Sequence, residues 1–504
     1  MPAPTPRRTA EWAIAATLGA LTVTGYAPFW LYPFPLLTFA GLFLLWQRAP
    51  DARAAAFTGF AFGLGWFVAG VSWIYVSLHT FGAMPAPLGA AVTFLFCAYL
   101  ALFPAVAGWL SRRWTMKPAM QWMLFVPAVV TLMEWLRGWL FTGFPWLNPG
   151  YTQAPASPLA GFAPLLGVHG ITLLLLASAG ALSLLIKARS PKTIAKLWLL
   201  PASIAVIWIA GAGLKTVAWT EPTGSHVTVS LLQGNIEQDM KWREEHLRST
   251  LETYLRMIRS SDARLIILPE TALPLFLRDV PAEYLEALAA HARRNNGDVL
   301  LGVPERLPQG DYYNTVVSLG SANSQAYRKE HLVPFGEFIP LRPLLGAIVS
   351  QLAIPLQDFS RGGTGQQPLS VAGEQVAINI CYEDAFGEEI IRQLPQATLL
   401  VNVSNVAWFG RSIAPPQHLQ IAQMRALETG RYMLRATNTG VTAVIAPNGH
   451  VEAAAPEFTQ AVLTHKVSGM RGATPFVRWG NLFALALCVL VTGIALFTRD
   501  QSGK

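Results

Sequence analysis

Eight stretches of mostly apolar residues dominate this chain: 11–27, 31–46, 56–78, 88–110, 119–140, 164–186, 195–214 and 479–498. A helix that crosses a bilayer needs about 20 such residues, so runs of this length and number predict a multi-span α-helical membrane domain. Pro28, Pro33 and Pro35 separate the first two, which are shorter than the rest. Arg7 and Arg8 ahead of the first run imitate a signal peptide. No small-x-small cleavage pattern follows cleanly, and a second apolar run begins at once, so the first run is read as a span. Only 13% of the residues are charged, against about a quarter in soluble chains.

The loops between these runs predict an orientation. Arg7 and Arg8 precede the first, Arg48 and Arg53 follow the second, and Arg112, Arg113 and Lys117 follow the fourth. Lys187, Arg189, Lys192 and Lys196 follow the sixth, and Arg499 and Lys504 the last, whereas segments 79–87 and 141–163 hold no Lys or Arg. Basic loops stay in the cytosol, which puts residues 216–475 on the far side of the membrane. The formal net charge of +8 sits in the same loops. Residues 216–475 hold 21 Lys and Arg against 25 Asp and Glu, and the remainder 16 against 4. The basic excess is therefore a topology signal, not a nucleic-acid footprint.

Residues 216–475 alternate between strand-like runs (226–233, 263–268, 298–303, 313–319, 375–381, 397–403, 432–437, 441–446 and 460–466) and helix-like runs (243–259, 281–295, 385–394 and 416–429). That alternation predicts a layered α/β domain. Asn448-Gly449 marks a hairpin between the last two strands. The expected division is 1–215 for the N-terminal membrane domain, 216–475 for the α/β domain and 476–504 for a last span with a short tail. Cys97 and Cys488 lie in apolar runs, which leaves Cys381 as the one thiol of the polar segment. A lone thiol facing an oxidising compartment invites a functional reading.

Three residues with complementary chemistry stand at segment ends: Glu270 after the apolar run Arg-Leu-Ile-Ile-Leu-Pro, Lys329 after segment 323–328, and Cys381 at the end of Val-Ala-Ile-Asn-Ile. Sites in open α/β sheets gather at strand C-terminal ends. A thiol is mostly protonated at neutral pH and needs a base or a positive neighbour to become a nucleophile. A carboxylate can take its proton, and an ammonium can hold the thiolate and then an oxyanion. Singly, each residue also fits a bland role: a strand-end acid, a surface lysine, a small buried apolar residue. Spacing alone does not make them a triad.

The strings LPETALP, YRKEHLVPFGEFIP and NICYEDAFG around these residues resemble the catalytic segments of the nitrilase superfamily, a Glu-Lys-Cys group of α-β-β-α sandwiches. YNTVV at 313–317, the HLVPFGEF form, SNVAWFG at 404–410 and the preceding spans are similar to its membrane-embedded branch, the apolipoprotein N-acyltransferases of the bacterial inner membrane. The resemblance covers nearly the whole chain. It implies acyl transfer through a Cys381 thioester. The donor would be a phospholipid, usually phosphatidylethanolamine, and the acceptor the α-amine of a diacylglyceryl-cysteine at an apolipoprotein N-terminus. No cofactor or metal is implied. Glu270 would be the base and Lys329 the oxyanion partner, with the N–H of Tyr382 as a candidate second donor. Glu337 corresponds to a carboxylate that orients the lysine, Trp242 to a tryptophan near the site, and Tyr382 and Glu383 to residues needed for the second step. Trp242 also reads as plain core, and Glu383 as a charge favouring the N-terminus of the 385–394 helix. Position 406 is Val where the family's common form has Asp.

Two further features stand out. The apolar segment 338–357 reads as a lid touching the bilayer, or as ordinary packing on the domain. Glu134 and Arg137 fall within the fifth span, three residues apart, as an intramembrane functional site or a mutual ion pair. Two other functions share parts of this pattern: a membrane-tethered amidase acting on a small amide, and a transporter or receptor whose far-side domain only binds. The number of spans speaks against the first, and the scarcity of charge within them against the second.

Overall fold

The computed structural model describes residues 6–188, 198–238, 244–339 and 359–497. They fall into two compact units. One is drawn from Met1–Tyr75, Ala86–Val217 and Trp479–Lys504, the other from Val76–Pro85 and Ala218–Arg478.

The first unit is helical. Its helices are α1 (Pro6–Thr22), α2 (Phe34–Arg48), α3 (Ala52–Val71), α4 (Ala86–Arg113), α5 (Pro118–Arg137), α6 (Pro158–Lys187) and α7 (Leu199–Leu214), and Leu482–Phe497 closes the chain. Asp51 starts α3 by accepting from the N–H of Ala54 at 2.7 Å, the usual service of an N-cap carboxylate. Small residues let α1 and α3 approach closely: a Cβ on Gly19 would lie 1.9 Å from the Phe62 carbonyl oxygen, and one on Gly65 2.0 Å from that of Ala16. All eight predicted runs contain a helix, but among the described residues only four helices are long and apolar enough to cross a membrane: α3, α4, α5 and α6. The expectation of eight spans is corrected to that extent. Helices α1 and α2 hold 17 and 15 residues, about 22–26 Å at 1.5 Å per residue. That falls short of a hydrocarbon core about 30 Å thick, because the proline-rich turn cuts both.

The second unit is a four-layer sandwich. One sheet has the order β12-β1-β2-β3-β4-β5, with β1 Glu221–Gln233, β2 Leu265–Ile267, β3 Asp298–Arg306, β4 Tyr312–Gly320, β5 Ala326–Arg328 and β12 Ala461–Arg471. The other has the order β11-β10-β9-β8-β7-β6, with β6 Leu369–Val371, β7 Glu374–Ile380, β8 Leu399–Ser404, β9 Met433–Thr437, β10 Ala443–Ile445 and β11 Val451–Ala454. Each has a parallel centre: β1, β2 and β3 in the first, β7, β8 and β9 in the second. Leu231, Ile267 and Val316 meet Ile378, Val401 and Leu434 to form the core between the sheets. Helices α8 (Glu244–Arg259) and α9 (Ala282–Arg294) cover the outside of the first sheet through Tyr254, Ile258 and Leu288. Helix α10 (Ala414–Thr429) covers the second through Leu419, Ala422 and Ala426.

The local differences from expectation have physical causes. The turn at Asn448 and Gly449 joins β10 to β11, a strand the sequence reading did not place, and β12 leaves to pair with β1. The expected helix 385–394 is broken into a 3-10 turn Cys381–Ala385, a single α-turn Gly387–Ile390 and a second 3-10 turn Ile391–Gln393. Phe386 sits there at φ −109° and ψ 79°, outside helical geometry. Of the expected lid only residues 338 and 339 are described; the rest lies outside the described residues.

Candidate active site

Parallel strands that end at one edge bring their following loops together, and the charged residues named above collect there. Glu270 comes three residues after β2, Lys329 directly after β5 and Cys381 directly after β7. The Lys329 N–H continues the β4–β5 ladder by donating to the Asn314 carbonyl at 2.8 Å, which turns its side chain inward to full burial. Its Nζ donates to Glu337 Oε1 at 2.8 Å and Glu270 Oε1 at 3.3 Å. Both carboxylates are themselves anchored. Glu270 accepts from Asn314 Nδ2 at 2.7 Å and from the Asn405 N–H at 2.8 Å; Glu337 accepts from the Val333 N–H at 2.8 Å.

Thus two carboxylates share one ammonium beside a thiol. Burial works against the Lys329 charge, but the Glu337 and Glu270 carboxylates outweigh it and hold the ammonium above its ordinary value. Cys381 moves up as well, through burial and then the Glu270 charge, with Lys329 pulling the other way. The resting thiol is therefore held protonated, and any chemistry at this sulfur needs a base to take its proton. Three non-glycine residues with positive φ flank the site: Thr271 at 48°, Phe335 at 61° and Cys381 at 54°. Such backbone costs about 1–3 kcal/mol each and persists where surrounding contacts over-determine it.

Glu383 is buried and accepts from the N–H groups of Glu330 (2.6 Å), His331 (3.0 Å) and Ile380 (2.6 Å), and from the Tyr327 hydroxyl at 3.2 Å. It ties the segment after Lys329 to the strand end that carries Cys381. Burial pushes its carboxyl up to about 8 against the pull of the backbone donors and Lys329. Tyr382 is buried edge-on to Phe386, with ring centres 5.1 Å apart. Trp242 lies outside the described residues. Val406 is buried against Gly440, where a Cβ would come within 2.3 Å of its Cγ2.

Sequence reasoning assigned no role to Asn314, whose amide reaches Glu270 and also Glu337 at 3.3 Å. It also missed a buried polar group behind Cys381, made of Asp384, Asn402, His418 and Arg435. The available signal was a polar residue interrupting an otherwise apolar strand, as Asn402 and Arg435 do in LLVNVS and MLRAT. The Glu134–Arg137 pair of α5 is a mutual ion pair with both side chains buried. Arg137 also donates to the Phe144 carbonyl and, at 2.8 Å, to that of Trp146.

The comparisons with known proteins agree with this division of labour. Residues 228–476 match the carbon-nitrogen hydrolase family model, which makes the layered unit a nitrilase-like domain with two sheets. Residues 18–181 match the apolipoprotein N-acyltransferase N-terminal domain. The apolipoprotein N-acyltransferase of Nitrosomonas europaea is 55% identical over 482 residues, 95% of this chain and 96% of that protein. Those of Chromobacterium violaceum and Neisseria meningitidis serogroup B are 47% and 39% identical, covering 96% of this chain in each case and 92% and 96% of theirs. The chain belongs to the apolipoprotein N-acyltransferase family, and it is a membrane protein.

Proposed function

We propose that this chain moves an acyl group from a membrane phospholipid to the N-terminal amine of a diacylglyceryl-cysteine apolipoprotein, through a thioester on Cys381. The observation that carries the reading is the buried Lys329 ammonium, held by Glu270 and Glu337 beside a half-buried thiol at a strand end. In the first step Cys381 Sγ bonds to the ester carbonyl carbon while Glu270 takes the thiol proton. Lys329 holds the oxyanion, with the Tyr382 N–H as a second donor. The C–O bond then breaks, the leaving alkoxide receives the proton from Glu270, and a lysophospholipid departs. In the second step the free α-amine attacks the thioester, Glu270 takes the amine proton, and the sulfur leaves to recover it. A thioester keeps the acyl group reactive and prefers an amine to water where water is kept out. Glu337 orients Lys329. Glu383 and Tyr382 shape the second step.

Phosphatidylethanolamine is the proposed donor, and the bacterial inner membrane the proposed location. Residues 1–215 and 476–504 form the membrane part, and 216–475 face the periplasm, as the basic loops favour. The amidase alternative shares the reactive residues but leaves the match at residues 18–181 without a purpose.

Intact-protein mass spectrometry after incubation with a phospholipid of defined chains tests this. The wild type should gain the mass of one acyl group and release lysophospholipid, and Cys381→Ala should do neither. Hydroxylamine or a diacylglyceryl-cysteine peptide should remove the added mass. No adduct on the wild type, or the same adduct on Cys381→Ala, would overturn the reading.

A further inference from the structure

The carbonyl of Cys381 is gripped from two sides. Asn402 Nδ2 donates to it at 3.1 Å, and His418 Nε2 lies 3.2 Å away. The same imidazole nitrogen lies 2.7 Å from Asp384 Oδ1. Both neighbours are acceptors, so hydrogen-bond matching puts a proton on Nε2 and shares it between them. Burial, ahead of the Arg435 charge, holds His418 below the ordinary imidazole value, which leaves the ring neutral with that tautomer fixed. Arg435 closes the circuit. Its Nη1 donates to Asp384 Oδ2 at 3.0 Å and to Asn402 Oδ1 at 2.6 Å. Asn402 Oδ1 also accepts from the Ser404 hydroxyl at 2.7 Å, while Nδ2 donates to Asn379 Oδ1 at 2.6 Å, so the amide can face only one way.

Sheet register builds this arrangement. Asn379, Asn402 and Arg435 pair directly across β7, β8 and β9, one polar row over three parallel strands. They share the helix-facing side of the sheet with Ala377, Leu400 and Met433, which pack against α10, the helix that supplies His418. All four members of the circuit are 2% exposed or less. Losing one member of a buried network leaves its partners unsatisfied in a low-dielectric interior, which is costly. The carbonyl they hold belongs to the residue whose φ of 54° lies in the left-handed region, a conformation that non-glycine backbone does not keep unaided.

We propose that Asp384 and Arg435 are positioning residues that act through His418 and Asn402 to clamp the Cys381 carbonyl and fix the direction of its thiol toward the acyl carbon. None of the four is placed to touch the reacting atoms. The proposal rests on the acyl-enzyme reading above. Its expected size follows from the steep dependence of reaction rate on alignment, where a misplacement of about 1 Å costs roughly a hundredfold.

The full-length protein in detergent tests it, with wild type, Asp384→Asn, His418→Gln and His418→Leu compared side by side. Single-turnover acyl-enzyme formation is read by intact mass, and iodoacetamide labelling of Cys381 and thermal midpoint are measured on the same samples. Asp384→Asn and His418→Leu should acylate roughly ten- to a hundredfold more slowly at saturating phospholipid, with half-saturation unchanged. His418→Gln, whose amide can donate from a similar position, should recover most of the rate. A loss that tracks the unfolded fraction and vanishes per folded molecule overturns the proposal, as does a wild-type rate in folded His418→Leu. If the wild type itself forms no acyl-enzyme, the acyltransfer reading fails, and the labelling rate decides the clamp alone. A labelling rate altered in His418→Leu and restored in His418→Gln supports it, and an unaltered one refutes it.

Discussion

Two of the buried clusters that join carboxylate to cation, the Glu134–Arg137 pair of the helical unit and the Lys329 cluster of the sandwich, are built to different ends. In the helical unit Arg137 meets one carboxylate, Glu134, and two backbone carbonyls, those of Phe144 and Trp146. The charges cancel, and the guanidinium pins the loop after α5. In the sandwich Lys329 meets two carboxylates, Glu270 and Glu337, beside a thiol. That cluster has one negative charge more than it needs, and the surplus can receive a proton. A neutral, closed pair holds structure, whereas an unbalanced one with a reactive neighbour can do chemistry.

The largest expected effect separates the two at once. Cys381→Ala should abolish acyl transfer while leaving the thermal midpoint in detergent within a few degrees of wild type, because a small half-buried side chain contributes little packing. Residual transfer above about a thousandth of the wild-type rate would mean that the chemistry lies elsewhere.

The opposite signature is expected in the helical unit. Arg137→Met leaves Glu134 buried without its partner and should cost about 3–5 kcal/mol of stability, with the acylation rate per folded molecule unchanged. Replacing both, as Glu134→Leu with Arg137→Met, should recover much of that loss. Thermal midpoints of the two singles and the double provide the cycle. A large drop in rate per folded molecule without a drop in stability would erase the distinction drawn between the clusters.

How far the sequence anticipates these clusters depends on what sets each contact. The helical runs are legible because length and apolarity are local properties, although whether a run is long enough to span depended on prolines at its ends. Glu270 and Cys381 stand out because each follows an apolar run, and Lys329 because it lies inside a recognisable string. Strands β5, β6 and β11 have three or four residues each, too few for alternation to show. The row of Asn379, Asn402 and Arg435 was beyond reach for another reason: the residues are adjacent only through the register of three parallel strands, and register is a tertiary property. The same holds for Glu383. As a sequence feature it is an acid at the start of a helix, but in the fold it bridges two loops.

Glu383 therefore offers a milder comparison, read through pH. Its carboxyl is raised to about 8 in the folded protein, first by burial, whereas an exposed glutamate titrates near 4.3. Between those values the native state holds the proton more tightly than the unfolded chain. The stability contribution is then complete below the unfolded value and is lost as pH rises through about 8. Thermal midpoints of the wild type should fall between pH 5 and 9. Glu383→Gln, which cannot ionise, should show a flatter profile and a lower midpoint at pH 5, since its amide N–H group turns a donor toward backbone N–H groups. Parallel profiles for the two proteins would assign the pH dependence to another group.

The smallest effect concerns a segment that separates the two units in an unexpected place. Residues Val76–Pro85 follow α3 in the chain yet belong to the compact unit of the sandwich. Ser77 Oγ donates to the Trp408 carbonyl at 2.9 Å, and the rings of Phe81 and Trp408 meet edge-on with centres 6.1 Å apart. Removing one hydrogen bond at a partly exposed position costs about 1 kcal/mol. Ser77→Ala should therefore leave the global midpoint almost unmoved, and should speed amide hydrogen exchange at 76–82 severalfold without touching exchange in β7 or β8. Exchange that rises throughout the sandwich would show that this segment is part of its cooperative core. Exchange that stays at the wild-type rate would show that the Phe81–Trp408 contact alone holds it.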